Sequence, residues 1–358
     1  MESDIRSRAD AKARAFDPLD RQLIQALQLD GRAPFSRLAQ VLGVSDQTVA
    51  RRYARLRESS GLRVLGLTTP EAFGEVRWMI RVQCAPAAAG GLAEALARRD
   101  DTAWVNVCSG GAEITCTARA HPDRQDDLLL QRLPRTPSVV GIAAHCVLHT
   151  FFGGEQSLAL KSGALDAEQV TQVRAFSGAP ESGTGTRPGG AARPADPIDL
   201  DEGDRQLFAA LAVDGRAGFA ELAAATGWSA STVRRRMEEL EHARALYFDL
   251  DLDWRLFGVH AMTQLWLDVA PAELAATGEA LAAHPEIGYA AAVTGPSNLN
   301  AVVLSPDVPA LYTYLTTRIA TLPAVRRVES SPVMRTVKGP GPFVTPVRSP
   351  RPRRRAGS

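Results

Sequence analysis

The chain has 358 residues, 45% apolar and 23% charged, with a net charge of +1. That supports several packed cores and excludes both a wholly basic nucleic-acid binder and a charged disordered chain, so any nucleic-acid contact must be a local patch. Four cysteines (Cys84, Cys108, Cys116, Cys146) lack any CxxC spacing, so they suggest neither a disulfide framework nor a zinc site and read as reduced, buried thiols.

Residues 1–15 carry mixed charges without an apolar stretch and read as a disordered N-terminus rather than a signal peptide. Residues 16–62 follow as a first domain. Asp17-Pro18 is a helix start, Leu19, Leu23, Ile24 and Leu27 recur at helical spacing, and Gly31 ends the helix. A second helix spans about Phe35 to Leu42, with Leu38, Ala39 and Leu42 on one face. Gly43-Val44 is a tight turn, and Ser45 caps a third helix in which Val49, Tyr53 and Leu56 point inward. Two short helices joined by a glycine turn, the second polar and basic, describe a helix-turn-helix. Such a second helix can enter the major groove of double-stranded DNA, where each base pair shows a distinct donor and acceptor pattern. Ser45, Gln47 and Thr48 can reach base edges or phosphates, and Arg51, Arg52 and Arg55 follow one turn on. The plainer alternative makes Ser45 only a cap and the arginines a solvated face.

Residues 63–160 read as a second domain. Trp78, Ile80 and Val82 alternate as a strand, 87–99 is a helix, Trp104–Val107 and Glu113–Ala118 are strands around a Ser109-Gly110-Gly111 turn, a helix runs from Asp123 to Leu133, and Val139–Phe152 is a last strand. The order βαββαβ implies an α+β, ferredoxin-like sandwich. Residues 161–197 read as a linker, because its Gly, Pro and Ser content leaves too little apolar surface to fold.

Residues 198–246 then repeat the first domain. DRQL at Asp20 recurs at Asp204 and DGRA at Asp30 recurs at Asp214, both 184 positions on, and 20 of 38 positions from Asp20 to Arg57 equal their partners without a gap. The second DNA-facing set is therefore Ser229, Ser231, Thr232, Arg234, Arg235 and Arg236, although Glu238, Glu239 and Glu241 oppose phosphate attraction there. Residues 247–339 repeat the sandwich, with strands Met262–Val269, Gly288–Thr294, Leu299–Leu304 and Val325–Val337 and helices Ala272–Ala283 and Val308–Thr321. Residues 340–358 form a basic tail that reads as disordered.

At these residues the chain resembles the Lrp/AsnC (leucine-responsive, feast/famine) regulators. TVARRYARL, TVRRRMEEL, the DGRA turns and the ending LPAVRRVESSPVMRTVK carry the likeness. The resemblance implies two winged-type helix-turn-helix domains alternating with two AsnC-type sandwiches, and a cytoplasmic, nucleoid-associated regulator that self-associates and binds an amino acid or similar effector. Such proteins dimerise through their sheets, so two halves on one chain can form an intrachain pseudo-dimer and assemble further. The family's effector loop, Thr-Gly-x-x-Asp, corresponds here to Thr294, Gly295 and Asn298, with Asn300 close by, and in the first half to Ser109, Gly110 and Glu113. Both copies lose the aspartate, which leaves open a different ligand or a plain turn. The chain also looks like sirohaem decarboxylases, which share this architecture, and His145 and His149 are the residues that reading would offer as catalytic. No nucleophile–base motif, metal-ligand cluster, P-loop or membrane span is seen, so no enzyme, no cofactor beyond the effector and no membrane partner is expected.

Overall fold

The computed structural model describes residues 16–121, 136–154, 156–177 and 197–343. The first helix-turn-helix comprises α1 (Pro18–Leu29), α2 (Phe35–Leu42) and α3 (Asp46–Ser60). Asp17 and Asp20 form a capping box at the start of α1, and Ser45 caps α3 by accepting from the Thr48 N–H at 3.2 Å. Gly43, at φ 65°, makes the turn between α2 and α3 in the left-handed region that favours glycine. The second copy, α6 (Glu202–Val213), α7 (Phe219–Thr226) and α8 (Ala230–His242), repeats each device with Asp201, Asp204, Gly227 and Ser229. Val49, Tyr53 and Leu56 are buried as expected, and so are Val233, Met237 and Leu240.

Between these elements, α5 (Ala167–Ser177) occupies the beginning of the expected linker. Leu165 and Val173 enter the core of the first helix-turn-helix, and Gln169 donates to the Val41 carbonyl at 3.0 Å. A single apolar stripe beside a Gly/Pro-rich run is a weak signal in sequence, and the face it covers on α1 and α2 decides the outcome. The helix expected between Asp123 and Leu133, the remainder of the linker, and most of the basic tail lie outside the described residues.

The two sandwiches are built from β2 (Val76–Cys84), β3 (Thr102–Cys108), β4 (Glu113–Ala120) and β5 (Val139–Phe152), and from β7 (Ala261–Val269), β8 (Ile287–Val293), β9 (Leu299–Ser305) and β10 (Val325–Lys338). Helix α4 (Ala89–Ala97) covers the first sheet, and α9 (Leu274–Ala283) with α10 (Val308–Thr317) covers the second. The long last strand of each half crosses to the other half. β5 pairs β2 and then β8, β10 pairs β7 and then β3, and the eight strands close into one barrel. Closure removes the free edges that a lone four-stranded sheet would expose. Ile80, Val82, Leu265 and Leu267 face the outer helices, while Met79, Arg81, Gln264 and Trp266 face inward.

Packing also exchanges segments. Strands β1 (Arg63–Thr68) and β6 (Leu246–Asp251), which follow the two helix triads, pair antiparallel with each other. Beyond them, Phe257 packs on Phe16 of the first triad, with ring centroids 5.0 Å apart, and Phe73 packs on Phe208 of the second at 5.7 Å. The chain is therefore an intrachain pseudo-dimer whose halves are interlocked. Among the described residues no helix is long and apolar enough to cross a membrane.

Candidate nucleic-acid interface and effector loops

Both recognition helices present exposed, capped N-termini. In α3 the residues Ser45, Gln47, Arg51 and Arg55 are exposed and Thr48 is half-buried, and Arg51 forms no ion pair with a described residue. Arg52 behaves differently. It binds Asp17 and, at 2.9 Å, Asp20, whose side chain is only 2% exposed, and Arg55 reaches the same Asp20 oxygen at 2.5 Å. These carboxylates hold the Arg52 pKa above its ordinary value. Arg52 thus braces α3 against α1.

The equivalent Arg236 does the same, gripping Asp204 with two bonds of 2.8 and 2.9 Å. In α8 the other arginines are also engaged: Arg235 pairs with Glu239 at 2.9 Å, and Arg234 lies 4.5 Å above the Phe219 ring. Ser229, Ser231 and Thr232 share hydroxyl contacts of 2.8 Å at the helix start. The position of Arg55 in α3 is held by Glu239 in α8. An open groove beside α8 is lined by Asp199, Asp201, Trp228, Arg235 and Glu239. The two helices are thus unequal, α3 with four arginines against two acids and α8 with three against three.

What holds the two triads together was visible in sequence only as the repeated string DGRA. Arg32 donates to the carbonyls of Gly215 and Ala217 at 2.5 and 3.0 Å, and Arg216 donates to those of Gly31 and Ala33 at 2.6 and 3.0 Å. Each guanidinium also lies on the other half's aromatic ring, Arg32 at 5.1 Å from Phe219 and Arg216 at 4.6 Å from Phe35. Arg57 of α3 adds a 3.2 Å pair to Asp214. Burial pushes the pKa of both clamp arginines down. The signal for this contact was available: one identical arginine, in one identical turn, twice.

The effector-loop residues are largely occupied by protein. In the second copy the Thr294 carbonyl faces His145 Nδ1 at 2.6 Å, and Thr294 Oγ1 accepts from the Cys146 N–H at 2.9 Å. A Cβ on Gly295, at φ 109°, would sit 2.6 Å from His145 Nδ1, so the missing side chain admits this histidine. Asn298 exchanges two bonds of 2.9 Å with the Val269 backbone and so serves as a strand brace. Asn300 donates to the Leu265 carbonyl at 3.1 Å. In the first copy Glu113 binds Arg81 at 2.5 Å and Ser331 at 2.9 Å, while Ser109 and Gly110 stay on an exposed turn. His149 packs edge-on to Phe151, so the structure does not bring the two histidines into one site. Burial raises the thiol pKa of Cys108 to about 11 and that of Cys116 to about 12, which keeps both protonated.

Residues 16–57 and 200–241 each match the AsnC-type helix-turn-helix domain, and residues 263–343 match the Lrp/AsnC ligand binding domain. The HTH-type transcriptional regulator FL11 of Pyrococcus abyssi is 25% identical over 138 residues, 38% of this chain and 91% of that protein. Its namesake from Pyrococcus furiosus is 34% identical over 60 residues, 16% of this chain and 40% of that protein. Among solved structures the siroheme decarboxylase NirDL covers 90% of this chain and 93% of its own, with a TM-score of 0.59 at 13% identity, a likeness of fold. Both helix triads thus match the AsnC-type helix-turn-helix domain and the closing sandwich matches the Lrp/AsnC ligand binding domain, so the chain carries this helix-turn-helix twice in tandem.

Proposed function

We propose that the protein is a sequence-specific, DNA-binding transcriptional regulator whose interlocked triads read two half-sites as one body and respond to a small effector. The observation that carries this is the pair of capped, exposed recognition helices on triads locked by the Arg32 and Arg216 clamps. The exposed, hydroxyl-bearing start of each helix suits phosphate and base edges, and in α3 Gln47 and Arg51 extend that surface. The relatives named above are transcriptional regulators, which supports the same reading.

Genomic selection of bound duplexes, followed by fluorescence anisotropy across salt concentrations, tests it. Tight binding to a recovered sequence, weakening linearly in log salt, is expected. Failure to bind any duplex at low ionic strength would remove the reading.

A second reading, a tetrapyrrole decarboxylase, is supported by the whole-length fold likeness. Against it, Arg81 and Trp266 stack across the middle of the barrel at 4.7 Å, and His145 is packed on Trp266 at 4.9 Å. A Soret band in purified protein, or after adding a tetrapyrrole, is the result that would favour it.

A further inference from the structure

The two recognition helices are set alike on their triads but present different side chains. The same arginine ties each helix to the same buried carboxylate, Arg52 to Asp20 at 2.9 Å and Arg236 to Asp204 at 2.8 Å. The serine caps and the reciprocal Arg32 and Arg216 clamps are likewise repeated. Two identical subunits placed in this way read a palindrome, because each half-site meets the same side chains. Here the placement is duplicated and the reading surface is not.

The differences fall on the exposed face. With the offset of 184 positions, Gln47 becomes Ser231, Ala50 becomes Arg234 and Arg55 becomes Glu239, while Arg51 is kept as Arg235. At the start of α3, Gln47, Thr48, Ala50 and Arg51 line an open hollow. Gln47 and Arg51 are both exposed and stand one helical turn apart on the same face, and among the described residues neither side chain has a hydrogen-bond or ion-pair partner. On α8 the corresponding groups are engaged within their own triad. Ser231 Oγ lies 2.8 Å from Ser229 Oγ, and Arg234 lies on the Phe219 ring. Arg235 pairs with Glu239 at 2.9 Å, and Glu239 also faces Arg236 at 3.4 Å.

These contrasts have different consequences at a base edge. An unpartnered carboxamide can bond adenine N6 and N7 together, and an alanine leaves room for a thymine methyl group. A hydroxyl serves any base. A guanidinium already paired with a carboxylate must give up that partner before it bonds DNA, and the carboxylate itself repels phosphate.

We propose that the operator is directional rather than palindromic. The half-site under α3 carries the sequence information, with Gln47 reading an adenine and Arg51 anchoring the duplex beside it. The half-site under α8 is held with little discrimination among bases. Because both helices belong to one chain, the protein lies on its operator in a single orientation. This directionality rests on the DNA-binding reading above and names the side chains that discriminate.

The test uses the full chain and a duplex recovered by the genomic selection. Each base pair is exchanged in turn, and affinity is read by fluorescence anisotropy at one salt concentration. Exchanges clustered in one half-site are expected to cost about tenfold or more each, and exchanges in the other less than about threefold. Gln47→Ala is expected to abolish the preference at one A·T pair of the sensitive half and to leave the other half unchanged. The double variant Ser231→Gln/Glu239→Ala, which supplies a carboxamide and frees Arg235, is expected to make the tolerant half sensitive. Equal sensitivity of the two halves, or a profile that Gln47→Ala leaves unaltered, would overturn the directional operator while DNA binding itself stands. Binding to no duplex would remove both.

Discussion

Arg51 and Arg235 occupy the same position in the two recognition helices and differ in their neighbours. Among the described residues Arg51 has no carboxylate partner, whereas Arg235 is tied to Glu239. Arg51→Ala is therefore expected to lower DNA affinity and to reduce the slope of log K against log salt by about 1. Arg235→Ala should change both less, and Glu239→Arg should raise both, as anisotropy on one duplex will read. Arg236→Ala belongs to a different class. It strips the partner from the buried Asp204 carboxylate and is expected to cost about 3 kcal/mol of stability in urea unfolding, with DNA affinity of the folded fraction little changed. Asp249, buried on β6, gives the stability a pH signature. Burial raises its pKa from 3.8 to about 6, so between those values the native state keeps a proton that the unfolded state has lost. Stability from this group is present at pH below 3.8, falls as pH rises through the window, and is gone above about 6. Thermal midpoints measured from pH 4 to 7 should show that fall in the native chain and a flatter profile in Asp249→Asn.

The elements that matter most are the two DGRA turns and the Thr-Gly loop. Each turn sends one guanidinium into two carbonyls of the other half, so the triads share four reciprocal bonds. The double variant Arg32→Ala/Arg216→Ala is expected to keep the barrel but loosen the triads. Duplexes carrying both half-sites should then lose more affinity than duplexes carrying one, because the entropy cost of positioning the second triad returns. Gly295→Ala places a methyl group against His145 and forces an L-residue into φ 109°. A loss of about 1–3 kcal/mol is expected by chemical denaturation.

At the scale of the whole molecule, the covalent link matters less than the interlock. Strands β5 and β10 each belong to both sheets, and the segments around Phe73 and Phe257 each pack on the opposite triad. A protease site placed between residues 178 and 196 should therefore yield two fragments that still co-elute at the mass of the uncut chain in size-exclusion chromatography. Fragments that separate without denaturant would contradict the interlocked arrangement.

Much of this was legible before any coordinates. Helical spacing at Leu23, Ile24 and Leu27, the Ser45 and Ser229 caps and the 184-residue repeat determined two helix triads, because helix periodicity and capping are local properties. Strand β5 was readable to the residue, since its apolar run is bounded by turn signals. The pairing of β1 with β6, the docking of α5, the brace made by Arg52 and Arg236, and the filling of the Thr-Gly loop by His145 were decided only in three dimensions. Each depends on a partner between about 30 and 190 positions away, and no local pattern encodes which distant group will meet a given carboxylate or carbonyl.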